Sequence, residues 1–168
     1  MSGKPVSLEY LEKITAFLSE IGISWRFGEI HGDSFLSGVQ IYRGTLVIDT
    51  KKLKYPGDVL HEAGHLAIEP EISRAGLTDN VRECGQGDAE EMAAIAWSYA
   101  ALKAISIPPN VVFHEEGYKG ASESILTCFE TGGTLGQPLL SYYGMCSPGT
   151  GPDGFPNMSH WLRPAALN

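Results

Sequence analysis

The sequence predicts an α+β fold in a single domain, and three observations lead there. The chain has 168 residues, which suits one core rather than two. Helical periodicity opens it over 7–21, short alternating stretches follow over 23–49, and two more helical stretches then flank a loop rich in charge and glycine. Hydrophobic residues make up 43%, enough to bury a core without disulfides and too many for a disordered chain.

The elements follow in order. Leu8, Leu11, Phe17, Leu18 and Ile21 share one face of the first helix, with Ile14 beside them. Ser7 is the expected N-cap and Gly22 the residue that ends the helix. Ile23 to Phe27 alternates apolar and polar, and Val39–Tyr42 and Thr45–Asp49 flank an Arg43-Gly44 turn, so a small antiparallel sheet of about three strands is expected. Pro56-Gly57-Asp58 breaks that pattern, and a helix should run from Val59 to Ile68, ended before Pro70. After the loop 69–87, Asp88 is expected to cap a long helix reaching about Ile105, stopped by Pro108-Pro109.

Glycine and proline punctuate the remainder. An extended segment is expected over Val111–Tyr118, a helix over Ser122–Phe129, another from Pro138 to Tyr143, and an irregular loop over 147–157. His160-Trp161-Leu162 should tuck the C-terminus onto the core. The expected organisation is one domain over 1–168, with its core at about 7–104 and an irregular helical extension over 105–168.

Charge and composition exclude several function classes. The net charge is −8, and the only basic run is Lys51-Lys52-Leu53-Lys54, so a nucleic-acid partner is not expected. No stretch reaches the roughly 18 apolar residues of a membrane span, and Met1–Pro5 lacks an apolar signal core, which makes the cytoplasm the expected compartment. The cysteines, Cys84, Cys128 and Cys146, are too widely spaced for a zinc pair and are read as reduced thiols, two of them buried.

One motif carries chemistry: His61-Glu62-Ala63-Gly64-His65. On a helix, residues four apart stand one turn apart on one face, so His61 and His65 can both ligate one ion. Glu62 then lies beside the metal, where it can take the proton of a zinc-bound water attacking a carbonyl carbon. Zinc lowers the pKa of such a water to about 7. Gly64 costs about 1 kcal/mol in a helix, which predicts close approach of another backbone or of substrate. These features describe a zincin-like arrangement, in which an edge strand can hold an extended peptide by strand addition.

The third ligand sets the subclass. A HExxHxxGxxH pattern is excluded, because Ile68 and Glu71 stand at its last two places. A glutamate from the second helix is the gluzincin solution, and two candidates lie there. Glu91 shares a stripe with Ile95, Ser98 and Leu102 and is the first choice, although Asp88-x-x-Glu91 also reads as a capping box. Glu90 shares a face with Ala94, Trp97 and Ala101.

This combination resembles the ImmA/IrrE-like metallopeptidases of bacteria and phages, whose second motif is roughly Glu-x-x-Ala-(Asn/Asp)-x-Phe-Ala. With its glutamate on Glu91, Ala94 and Trp97 match, while Ile95 replaces the polar residue and Ser98 the small apolar one. The resemblance spans about 7–104 and implies a Zn2+ cofactor held by His61, His65 and Glu91, with Glu62 catalytic. It implies a metallopeptidase acting on a protein or peptide substrate. The alternative is a catalytically idle zinc module that binds a protein partner in bacterial or phage regulation. His114, Tyr118 and His160 are candidate oxyanion donors, although each also reads as a packing or surface residue, and Trp97, Tyr99 and Trp161 read as core.

Overall fold

A computed structural model describes residues 6–149 and 152–166. Among these residues the protein is α+β, with six α-helices and one three-stranded mixed sheet. Residues 1–5, and positions 150 and 151 of the expected irregular loop, lie outside the described residues.

Helix α1 spans Val6–Ile21 and so takes in Ser7, the expected cap. Leu11, Ile14, Phe17 and Leu18 are buried, which puts Ile14 at the centre of the apolar face, while Leu8 is left more exposed. Gly22, at φ 91°, takes the left-handed conformation that closes the helix, with Ile23 N–H bonded to Leu18 O.

Strands β1 (Trp25–Phe27), β2 (Val39–Tyr42) and β3 (Thr45–Ile48) form the sheet in the order β1-β3-β2. β2 and β3 form the expected hairpin, with Ile41 opposite Leu46. The sheet is not antiparallel throughout, because β1 pairs parallel with β3, Arg26 opposite Val47. The physical reason is the segment 28–38. It returns the chain past the position beside β1, and β3 then inserts between the two earlier strands.

Helix α2 spans Gly57–Ile68, two residues earlier than Val59, and all its residues except His61 are buried. It packs between α1 and the sheet on one side and α4 on the other. The loop 69–87 contains a further short helix, α3 (Glu71–Arg74). There Arg74 donates to Leu66 O and Glu69 O, satisfying carbonyls at the end of α2.

Helix α4 spans Asp88–Ala104, and every residue from Ala93 to Leu102 is buried. Its N-cap is Gly87 rather than Asp88, whose carboxylate instead pairs with Arg82. Helices α5 (Ser122–Glu130) and α6 (Gln137–Tyr142) follow. The expected extended segment at 111–118 is absent; that stretch is bounded by 3-10 turns at Pro109–Val111 and Tyr118–Gly120. Pro108-Pro109 starts the first of these, and a proline-led turn cannot be read as a strand by alternation alone.

The core joins Leu11 and Ile14 to Trp97, Phe129, Leu140 and Phe155, so residues beyond 105 pack onto the same apolar mass. Trp161 stacks edge-on against Trp97 and Phe17 and accepts a hydrogen bond from the Trp97 indole through its carbonyl. Cys146 is buried, Cys128 half-buried and Cys84 exposed, all as free thiols, so one cysteine rather than two is buried. No helix among the described residues is long and apolar enough to cross a membrane.

Candidate metal centre and its cleft

Two buried helices bring three ligand-bearing residues together. A Cβ placed on Gly64 would stand 2.8 Å from Ala94 O and 3.2 Å from Ala94 Cα. Gly64 is therefore the point of closest approach between α2 and α4, as its place inside a helix foreshadows. Ala94 lies one turn after Glu91 on α4. The contact therefore sets Glu91 beside the two histidines.

His61, His65 and Glu91 form a group that can hold a metal ion, with ligand atoms all within 4.8 Å of one another. The Glu91 carboxylate reaches both imidazoles: Oε1 is 3.4 Å from His61 Nε2, and Oε2 is 3.0 Å from His65 Nε2. Donors at ~2.1 Å from a tetrahedral zinc stand ~3.4 Å apart, so the carboxylate-to-imidazole spacings fit such an ion. Two imidazole nitrogens and a carboxylate are also a borderline-soft donor set that zinc favours.

Outer residues orient the ligands. The Gln86 amide nitrogen donates to His65 O at 3.0 Å and to Glu69 Oε2 at 2.8 Å. Its oxygen must therefore face His65 Nδ1, 2.8 Å away, and accept that nitrogen's hydrogen. In the neutral ring this puts the hydrogen on Nδ1, so that Nε2 is the nitrogen that would ligate an ion at the centre. Ser73 donates to the other Glu69 oxygen, which completes the chain of partners. On the other ligand, His61 Nδ1 lies 3.0 Å from the Tyr118 hydroxyl. Tyr118 and Lys119 hold that position with φ of 54° and 55°, a left-handed conformation that costs about 1–3 kcal/mol per residue.

Burial governs the electrostatics. It pushes His61 down to about 4, helped by the charge of His65 and opposed by Glu91. Burial also works to lower His65, but the hydrogen bond to Glu91 and the charges of Glu62 and Glu91 outweigh it and raise the group to about 9. Glu91 is pushed up by burial, yet His65 and His61 hold it below its ordinary value. Burial lifts Glu62 to about 8, with His65 opposing. Glu62 is thus a buried carboxyl beside the ligand group, and a divalent cation there would oppose the effect of burial and favour its ionised form.

The ligand group opens on a cleft of about 390 Å³. His61, Glu62, His65 and Glu91 line its floor, and Phe35, Leu36, Asp79, Val81 and Tyr118 are among its walls. Glu91 keeps 33% of its side chain exposed, the most open of the three ligand residues.

Glu90 is not in the cluster. Its Oε2 accepts from Gly87 N–H at 2.8 Å, so the cap expected of Glu91 belongs to its neighbour. His114 does not line the cleft. Its Nε2 bonds Asp58 Oδ1 at 2.7 Å, and its ring stacks on Tyr55. His160 is exposed and faces Gly144 O, away from the site. Tyr118 alone of the three oxyanion candidates reaches the cleft, where its hydroxyl engages a ligand histidine.

Sequence reasoning missed Glu69 and Gln86. Glu69 lies four residues after His65, a spacing that carries the signal. Gln86 sits in an aperiodic Gly-Gln-Gly loop that carries none. No family model, no curated protein and no solved structure matches this chain.

Proposed function

We propose that the protein is a zinc-dependent hydrolase of the metallopeptidase type, with His61, His65 and Glu91 as ligands and Glu62 as general base. The observation that carries this reading is the place of Glu91. A residue from a separate helix lies within ligand distance of both histidines of the His-Glu-x-x-His helix, and Glu62 lines the same cleft.

When bound, zinc supplies Lewis acidity to the substrate carbonyl and to the attacking water. The chain's own residues do the rest. Gln86 and Tyr118 hold the two imidazoles in place. Glu62 takes the proton of the water as its oxygen bonds to the carbonyl carbon, and delivers that proton to the amide nitrogen as the C–N bond breaks. Its buried position keeps the carboxylate poorly solvated and therefore basic. The motif resemblance to the ImmA/IrrE-like metallopeptidases at His61–His65 and Glu91 points the same way, and three ligands leave a coordination position open, as a catalytic rather than a structural site requires.

The test is hydrolysis of a fluorogenic peptide pool by zinc-loaded protein. Wild type is expected to cleave, and Glu62→Gln is expected to keep its zinc and lose about 10²–10⁴-fold in rate. Equal rates in the two proteins would remove Glu62 from the chemistry. Zinc-loaded wild type that cleaves nothing would favour a binding module.

A further inference from the structure

We infer that the cleft admits a compact substrate, a peptide of two or three residues with an apolar side chain, rather than an extended polypeptide laid along β2. The inference deepens the hydrolase reading and rests on it.

Strand β2 is an edge of the sheet, and an extended peptide could add there only through its outward backbone groups. Asp49 N–H bonds Gly38 O, so by antiparallel alternation Gly38, Gln40 and Tyr42 face β3, and Val39 and Ile41 face outward. The protein has already used those outward donors. Val39 N–H bonds Leu36 O at 3.4 Å. Ile41 N–H bonds Asp79 Oδ1 at 3.2 Å, and the second oxygen of Asp79 takes Phe35 N–H at 3.1 Å. Beyond the strand end, Gly44 N–H bonds Leu77 O at 3.0 Å.

The segment covering the edge is locked in place. Leu77 is fully buried in the core. A Cβ on Gly44 would stand 2.6 Å from Arg74 O, so the hairpin turn and the 74–77 segment touch backbone to backbone. Uncovering β2 would draw Leu77 out of the core. No residue of β2 lines the cleft, whereas Phe35, Leu36 and Asp79, which cover its edge, do.

The space that remains suits a small ligand, since pockets for such ligands run roughly 300–1,000 Å³ and this one is about 390 Å³. Phe35, 74% exposed, presents an open apolar surface in its wall, with Leu36 and Val81 beside it. An apolar side chain next to the scissile bond would cover that surface.

The test is titration calorimetry of zinc-loaded wild type with three hydroxamates: N-acetyl-leucine hydroxamate, the same group extended by five alanines on its N-terminal side, and a leucine-type succinyl hydroxamate extended by five alanines on the other side. The expected result is binding of the short ligand, with both extended ligands no more than about threefold tighter. Strand addition would contribute at least two backbone hydrogen bonds, a gain of about tenfold or more. A tenfold gain that disappears on N-methylation of the alanines overturns the compact-substrate inference and leaves the hydrolase reading intact. Zinc-loaded protein that binds none of the three overturns both.

Discussion

Helices α2 and α4 meet at the cleft floor through apolar packing, whereas the loops around 77–86 and 113–120 join buried apolar side chains, Leu77 and Phe113, to polar anchors at its walls. Gly64 meets Ala94 backbone to backbone, between α2, buried except at His61, and the buried 93–102 stretch of α4. The loops add single hydrogen-bonded side chains to their own buried apolar contacts: Asp79 on β2, Gln86 on His65 and His114 on Asp58. The difference teaches that ligand identity and ligand orientation are held by separate means. Helix packing decides which residues meet, and loop hydrogen bonds decide how each imidazole is turned.

That contrast can be broken at the loops or at the helix contact. The largest stability effect belongs to His114→Ala. Asp58 and His114 are both about nine-tenths buried, and burial already raises the Asp58 carboxyl. Leaving that carboxyl unpaired should cost about 3–5 kcal/mol in chemical denaturation. An unchanged midpoint would mean that the 113–120 loop is held by something other than this pair.

Gln86→Ala should weaken zinc binding by about 10–100-fold in chelator competition, since the His65 tautomer loses its partner. Its fold should survive. If Gln86→Ala instead lowers the folding stability by several kcal/mol while the folded protein binds zinc normally, the separation between packing and orientation fails.

Gly64→Ala should gain about 1 kcal/mol of helix propensity and lose about 1–3 kcal/mol to overpacking against Ala94, a net destabilisation. A stabilised Gly64→Ala protein would contradict the close helix contact.

The smallest effect is expected of Glu90→Ala. Loss of its bond to Gly87 N–H should cost about 0.5–1 kcal/mol, with zinc binding unchanged.

The same division explains what could be read in the sequence. His61, Glu62 and His65 are legible because helix periodicity alone places them, and Gly64 announces the contact that brings α4 near. The stripe that Glu91 shares with Ile95 and Ser98, both of which are buried, marks it as the first choice. Its rival Glu90 is not separable by pattern, because the cap is Gly87 rather than Asp88 and gives Glu90 the capping role. Glycine has no side chain with which to advertise a cap. The parallel pairing of β1 with β3 was not legible either. It depends on where the segment 28–38 returns the chain, and strand alternation is the same in either direction. His114 shows the limit for single residues in loops. Its partner Asp58 lies 56 positions away, and nothing in the local pattern links them.

The most direct measurement is elemental analysis of zinc in purified wild type, His65→Ala, Glu91→Ala and Glu90→Ala. The expected result is one zinc per chain in wild type and in Glu90→Ala, and none in His65→Ala or Glu91→Ala. Wild type that neither purifies with zinc nor takes it up, or Glu91→Ala that keeps a full equivalent, would contradict the proposed centre.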